Sequence, residues 1–244
     1  SQTVCNLPLD QAFHYHLSVG ADVTVIGRDC PDDWQGPCLT MDEDGQVAAL
    51  CRPDEPSQYD IQPLGFYIMS KSLMAELVRR CAAEGGHDLF VDGVIKNLPS
   101  LKVCVFRHTG YVARIDSIAA YFQHQLELLH PSVWQELFFR YGIVYTKVKD
   151  EAPAKYKEQA VVRNSLVANG CIVEGTVENC ILSRSVVIEK DAVVRNSIIS
   201  QNVRIGSQAR LSHVLCDKDS SVSAGRCLTG ALHNPFIVRK GAVV

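Results

Sequence analysis

The sequence lacks most of the features by which a chain of this size declares its chemistry. Its formal net charge is -3 and its pI about 6.2. It therefore has no basic field of the kind that nucleic acid or an anionic membrane surface requires. No apolar run approaches the ~20 residues needed to cross a bilayer, and the opening Ser1-Gln2-Thr3 is no signal peptide. A soluble, cytoplasmic protein without nucleic-acid or membrane partners is expected. No glycine-rich phosphate loop follows any strand-like segment. Cysteine is not scarce, with ten residues, but there is no Cys-x-x-Cys and no histidine at zinc spacing. Most of the cysteines sit in apolar runs such as Lys102-Val103-Cys104-Val105-Phe106, where a thiol behaves as a small hydrophobe. Reduced cysteines and no bound metal are expected of them. His14 and His16 are two apart on a predicted helix, so they face different sides and do not chelate together.

What the chain does have is a repeat. Arg163-Asn164-Ser165-Leu166-Val167, Glu178-Asn179-Cys180-Ile181-Leu182, Arg195-Asn196-Ser197-Ile198-Ile199 and Ser212-His213-Val214-Leu215-Cys216 recur every 15 to 17 residues. Each has a polar residue, then Asn or His, a small residue and two apolar ones. Single apolar residues such as Ile172, Val187 and Val203 lie between them, with Gly170, Gly175, Gly206 and Gly225 read as corners. Neither helical spacing nor two-residue hairpin turns are present. Residues 160–244 are therefore expected to form a left-handed parallel β-helix of about four coils, each stable only within the stack.

Residues 1–142 read as α/β. Helical patterns cover 9–19 (Leu9, Phe13, His16 and Leu17 on one face, ending at Gly20), 72–83 (Leu73, Leu77, Val78 and Cys81 inward), 87–98 and 117–129 (Ile118, Tyr121, Phe122, Leu126 and Leu129 inward). Strands are expected at 21–27, 64–69 and 102–107, with a hairpin from 39–41 to 46–51. The alternation predicts a mostly parallel sheet covered by helices. Without its phosphate loop this is an incomplete Rossmann-like domain, so the sequence is expected to begin inside a domain. That would leave the strand at 23–26 unpaired and an apolar helix face uncovered. Residues 143–159 read as a junction.

At the junction the residues carry a resemblance. Tyr145-Thr146-Lys147-Val148-Lys149-Asp150-Glu151-Ala152-Pro153-Ala154-Lys155-Tyr156, the first coils through Glu174-Gly175-Thr176-Val177-Glu178-Asn179, and upstream Gly110-Tyr111-Val112-Ala113-Arg114-Ile115-Asp116-Ser117-Ile118 are similar to bacterial ADP-glucose pyrophosphorylase (glucose-1-phosphate adenylyltransferase). The chain most resembles the GlgD-type subunit of glycogen biosynthesis. The resemblance covers essentially the whole chain, and the family's N-terminal segment with its Gly-x-Gly-Thr-Arg-Leu-x-Pro-Leu loop has no counterpart. It implies a nucleotidyltransferase domain followed by the β-helix, and the reaction of ATP with glucose 1-phosphate to give ADP-glucose and pyrophosphate. That chemistry uses magnesium held by carboxylates and cations set on the phosphates. It also implies a hetro-oligomer, a tetramer, with a catalytic subunit, or self-association through the β-helix.

Carried over residue by residue, the family's motifs are degenerate. Its metal-binding Gly-Asp pair reads Ser1-Gln2, and its Phe-x-Glu-Lys-Pro reads Ala49-Leu50-Cys51-Arg52-Pro53. A sugar-contacting serine reads Pro63, before Leu64-Gly65-Phe66-Tyr67, and Asp-Phe-Gly-x-Asp reads Asp88-Leu89-Phe90-Val91-Asp92. No catalytic set is intact. Arg52, Gly65 and Tyr67 remain as degenerate sugar-phosphate or nucleotide-sugar positions, and Arg52 reads equally as a loop cation. Asp88 is a remnant metal position or a helix cap, and the losses argue against magnesium binding by this chain. Lys147 and Lys155 match the region where the family takes anionic effectors, or they belong to a charged linker offset by Asp150, Glu151 and Glu158. A regulatory subunit inactive alone is the expectation. The alternatives are a hexapeptide-repeat acyltransferase with His213 as general base, and an assembly module without ligand.

Overall fold

A computed structural model describes residues 2–31, 34, 36–51, 61–142, 144–145 and 149–244. In chain order it has β1 (Thr3–Cys5), α1 (Leu9–Val19), β2 (Val23–Asp29), β3 (Cys38–Met41), β4 (Val47–Cys51), β5 (Ile61–Met69), α2 (Lys71–Ala83), β6 (Val103–Arg107), β7 (Val112–Arg114), α3 (Ile118–Glu127) and α4 (Pro131–Phe138). A ladder of two- and three-residue strands follows. The chain divides into two compact units, Leu7–Gly110 and Tyr111–Val244, the second taking in Gln2–Asn6.

In the first unit the five strands lie in the order β4-β3-β5-β2-β6. The expected mostly parallel sheet is corrected here: only β2 and β6 pair in parallel, and the other described pairs are antiparallel. The reason is the connections. A tight turn folds β4 back on β3, and α2 carries the chain from β5 to the far side of β2, so the neighbours of β2 run in opposite senses. Nor is β2 unpaired. It bonds β5 on one side and β6 on the other, with Val23, Val25 and Ile26 buried between them. The apolar stripe of α1 is open: Ala12 is buried while Leu9, Phe13 and Leu17 are exposed.

α2 begins where the Ser70 hydroxyl accepts from the Leu73 amide at 3.2 Å, satisfying one of the helix's orphan donors. It buries Leu77 and Cys81, whereas Val78, expected inward, is exposed. The helix expected over 87–98 is instead a wide π-type turn, Leu89–Val94, running into a 3₁₀ turn, Ile95–Ser100. Pro99 offers no amide to continue a regular ladder.

In the second unit β1 pairs antiparallel with β7, and α3 buries Phe122 but leaves Ile118 exposed. From Lys155 the chain winds into a parallel β-helix of three sheets, each five strands deep, or about four turns. Its first strand, Lys155–Tyr156, lies within the stretch read as junction, and its last is Phe236–Val238. Side chains repeat in register along each flat. Val177, Val194, Leu211 and Leu228 form one inward column, and Leu182, Ile199, Cys216 and Val238 another. Burial pushes the Cys180 and Cys216 thiols up to about 12, so both stay protonated as small apolar residues.

The corners explain the repeated asparagines. Asn164, Asn179, Asn196 and His213 have φ between 41° and 54°, the left-handed region that asparagine tolerates better than most residues. Their amides stack: Asn164 Nδ2 donates to Asn179 Oδ1 at 2.7 Å, and Asn179 Nδ2 to Asn196 Oδ1 at 3.2 Å. The glycines, read as corners, divide into two kinds. Gly170 and Gly225 are left-handed. Gly175 and Gly206 are not: a Cβ there would lie 2.3 Å from the Ala192 oxygen or 2.6 Å from the Ala224 nitrogen, so they admit the next coil's backbone.

Candidate functional site

Two of the positions read as a degenerate sugar site, Gly65 and Tyr67, lie at and just beyond a bulge in β5. Ile26 opposes Phe66 but Gly27 opposes Pro63, so Leu64 and Gly65 have no partners on β2. Gly65 takes φ +81°, a conformation that strains a residue with a side chain. Beyond the bulge, Tyr67 stacks on Phe90 with centroids 4.8 Å apart and planes 24° from parallel. Asp88, two residues before Phe90, caps the wide turn: its Oδ1 accepts from the amides of Phe90 at 2.8 Å and Val91 at 3.0 Å. Burial, and then the nearby Asp88 charge, push the Tyr67 phenol up to about 12. The structure thus gathers Tyr67, Phe90 and Asp88, with Gly65 on the same strand. A phenol held protonated can donate to a sugar hydroxyl or a phosphate oxygen but is no general base at neutral pH.

Magnesium fits these residues poorly. It requires an octahedron of hard oxygen ligands, and Asp88 spends Oδ1 on two amides. Asp92 is also committed. Its carboxylate pairs with Lys96 at 2.6 Å and accepts from the amides of Asp88 at 3.1 Å and His87 at 3.0 Å. Those bonds, Lys96 first, hold the Asp92 carboxyl down at about 2. Cys51, read in the sequence against a glutamate, offers a soft sulfur that suits other metals. Among the described residues no group of three His, Cys, Asp or Glu side chains is placed to hold an ion.

Arg52 and Lys147 lie outside the described residues. Lys155 is exposed on the first coil, in a groove of about 480 Å³ shared with Lys157, Glu174 and Lys190. Lys157 is neutralised by Glu174 at 2.6 Å, whereas among the described residues neither Lys155 nor Lys190 pairs with a carboxylate. His213 occupies the same left-handed corner as the three asparagines, with Nδ1 3.1 Å from the Ser212 hydroxyl. One polar cluster went unread in the sequence. The Tyr111 hydroxyl donates to Glu127 Oε2 at 2.5 Å, and His124 Nδ1 lies 2.8 Å from the same oxygen. The signal available was a His and a Glu three apart on one helix face, which alone names no partner.

Comparison with known proteins agrees with both halves. Residues 150–231 match the family model described as GlmU-like, C-terminal hexapeptide. The whole chain aligns with the glycogen biosynthesis protein GlgD of Bacillus subtilis at 36% identity, covering 100% of this chain and 62% of that protein. GlgD of Geobacillus stearothermophilus is 39% identical over 99% of the chain and 61% of its own length. A glucose-1-phosphate adenylyltransferase of Corynebacterium jeikeium is 25% identical over 96% of the chain and 65% of its length. The chain therefore spans less than two thirds of the curated relatives it matches. Hexapeptide coils, the α/β unit before them and similarity along the full chain together make it similar to the GlgD proteins and, at lower identity, to glucose-1-phosphate adenylyltransferases.

Proposed function

We propose that this chain serves glycogen biosynthesis as a GlgD-type regulatory subunit, silent by itself and acting on a catalytic glucose-1-phosphate adenylyltransferase subunit. The observation that carries the reading is the state of Asp88, the surviving acid of the family's metal site, which is bound up as the cap of a turn. With a thiol at Cys51 and Asp92 locked to Lys96, the described residues offer no group of three His, Cys, Asp or Glu side chains to hold the magnesium that neutralises charge in phosphoryl transfer. Gly65 and Tyr67 retain a surface that can still hold a sugar. The cations Lys155 and Lys190 give the first coils an anion-accepting groove for an effector.

The β-helix supports the partner role. Leu166, Ile181, Ile198, Leu215 and Ile237 form an aliphatic column along the outside of one flat. α3 packs against the strand holding Ile198, which is buried, while Leu166 and Ile237 at the column's ends are exposed. An apolar stripe of this kind suits a second subunit, whether a catalytic partner or another copy.

Pyrophosphate release from ATP and glucose 1-phosphate tests the reading, with this chain alone, a catalytic-type subunit alone, and the two mixed. Silence alone with a changed rate or effector response in the mixture is expected. Magnesium-dependent turnover by this chain alone would overturn it.

A further inference from the structure

All ten cysteines carry free thiols, and one pair of them is set apart by register. Cys38 opens β3, Cys51 closes β4, and the two are direct partners across the antiparallel hairpin. Among the described strand pairs no other cysteine faces a cysteine. Directly opposed residues have Cα and Cβ atoms about 4.5–5.5 Å apart. Disulfides span about 4.4–6.8 Å between Cα atoms and about 3.5–4.5 Å between Cβ atoms. Closure by roughly an ångström therefore joins them.

The hydrogen bonds place both sulfurs on one side of the hairpin. Strand alternation puts Cys38 and Thr40 on the same face, and the Cys51 thiol donates to the Thr40 hydroxyl at 3.9 Å. The Cys38 thiol reaches the Gly36 carbonyl at 3.9 Å. These are long contacts of a weak donor, so little opposes their loss.

We propose that Cys38 and Cys51 form a reversible disulfide that fastens the open end of the β3–β4 hairpin, with a small-molecule or protein disulfide as oxidant. Cys51 is half-buried and Cys38 buried, so Cys51 reacts first. As a thiolate it attacks one sulfur of the oxidant, expels the other as a thiol and holds a mixed disulfide. The Cys38 thiolate then attacks the Cys51 sulfur and expels the second thiol. Two protein thiols are oxidised, one external disulfide is reduced to two thiols, and the protons lost by the cysteines end on those leaving groups.

The test exposes the folded chain to oxidised glutathione, quenches in acid, alkylates the remaining thiols and maps the peptides by mass spectrometry. The expected map shows one Cys38–Cys51 cross-link, with no glutathione retained on Cys51 and neither Cys38 nor Cys51 alkylated, all reversed by dithiothreitol; glutathione on the exposed Cys227 does not bear on it. In Cys38→Ser glutathione stays on Cys51, and in Cys51→Ser the buried Cys38 is unmodified. Glutathione persisting on Cys51 in the unaltered chain, a cross-link between another pair, or ten alkylated thiols would overturn the proposal. The unaltered chain decides the matter, so a variant that fails to fold does not.

Discussion

The asparagine ladder makes a prediction in which two substitutions at one position separate two physical effects. Asn179 has φ 52°, accepts from Asn164 at 2.7 Å and donates to Asn196 at 3.2 Å. Replacing it with alanine removes both hydrogen bonds, each contributing about 0.5–1.5 kcal/mol net. It also holds a Cβ-bearing residue without a local polar group in the left-handed region, at about 1–2 kcal/mol. Asn179→Ala should therefore cost about 2–5 kcal/mol. Asn179→Gly loses the same bonds without the backbone strain and gains chain entropy in the unfolded state, which costs roughly 0.5–1 kcal/mol. Glycine should be the milder change by about 1 kcal/mol. Denaturant melts followed by circular dichroism, with the slope checked for constancy, measure the difference. A glycine variant equal to or less stable than alanine would refute the backbone argument and leave the amide ladder as the sole role of the residue.

Other perturbations follow from the same geometry. Leu182, inward and buried in the coil, should cost about 2–5 kcal/mol as alanine, whereas the exposed outward Leu166 should cost under about 1 kcal/mol by the area it buries; equal melting shifts would deny the inward and outward assignment. Asp88→Ala should lose about 0.5–2 kcal/mol as a missing cap while Asp88→Asn loses little, and magnesium should leave both melting temperatures unchanged. A magnesium shift abolished by Asp88→Asn would restore the metal role. Burial raises the Glu127 carboxyl, but hydrogen bonds from Tyr111 and His124 outweigh it and leave the group below its ordinary value. A depressed folded-state value means stability that is present above the unfolded carboxylate's range and lost as pH falls through the folded one. Tyr111→Phe should therefore be less stable than the parent at neutral pH, with the two curves converging in acid; a gap independent of pH would remove Glu127 from the explanation.

How far the sequence could be read depended on how local each feature is. The coils were legible because every turn repeats the same demand: one inward aliphatic at Val177, Val194 or Leu211, and one residue at Asn179 or Asn196 that tolerates positive φ. Such demands are met within a single repeat, so they are written in the chain at a fixed period. The sheet of the first unit was misread because strand direction is decided by connections and not by strand composition. Val23–Asp29 looks the same whether β5 runs with it or against it. The candidate site was legible as a set of positions and illegible as a state. Sequence could align Asp88 with a metal ligand and also mark it as a cap, since both uses want a carboxylate before a turn. What separates them is the direction of two amides, Phe90 and Val91, toward Oδ1. A regular helix would present the same two amides to its cap; the wide turn that follows the cap carries Phe90, whose ring stacks on Tyr67. The stacking that sets a protonated phenol beside this cap joins β5 to the turn across the intervening α2, a long-range contact that no local pattern spells out.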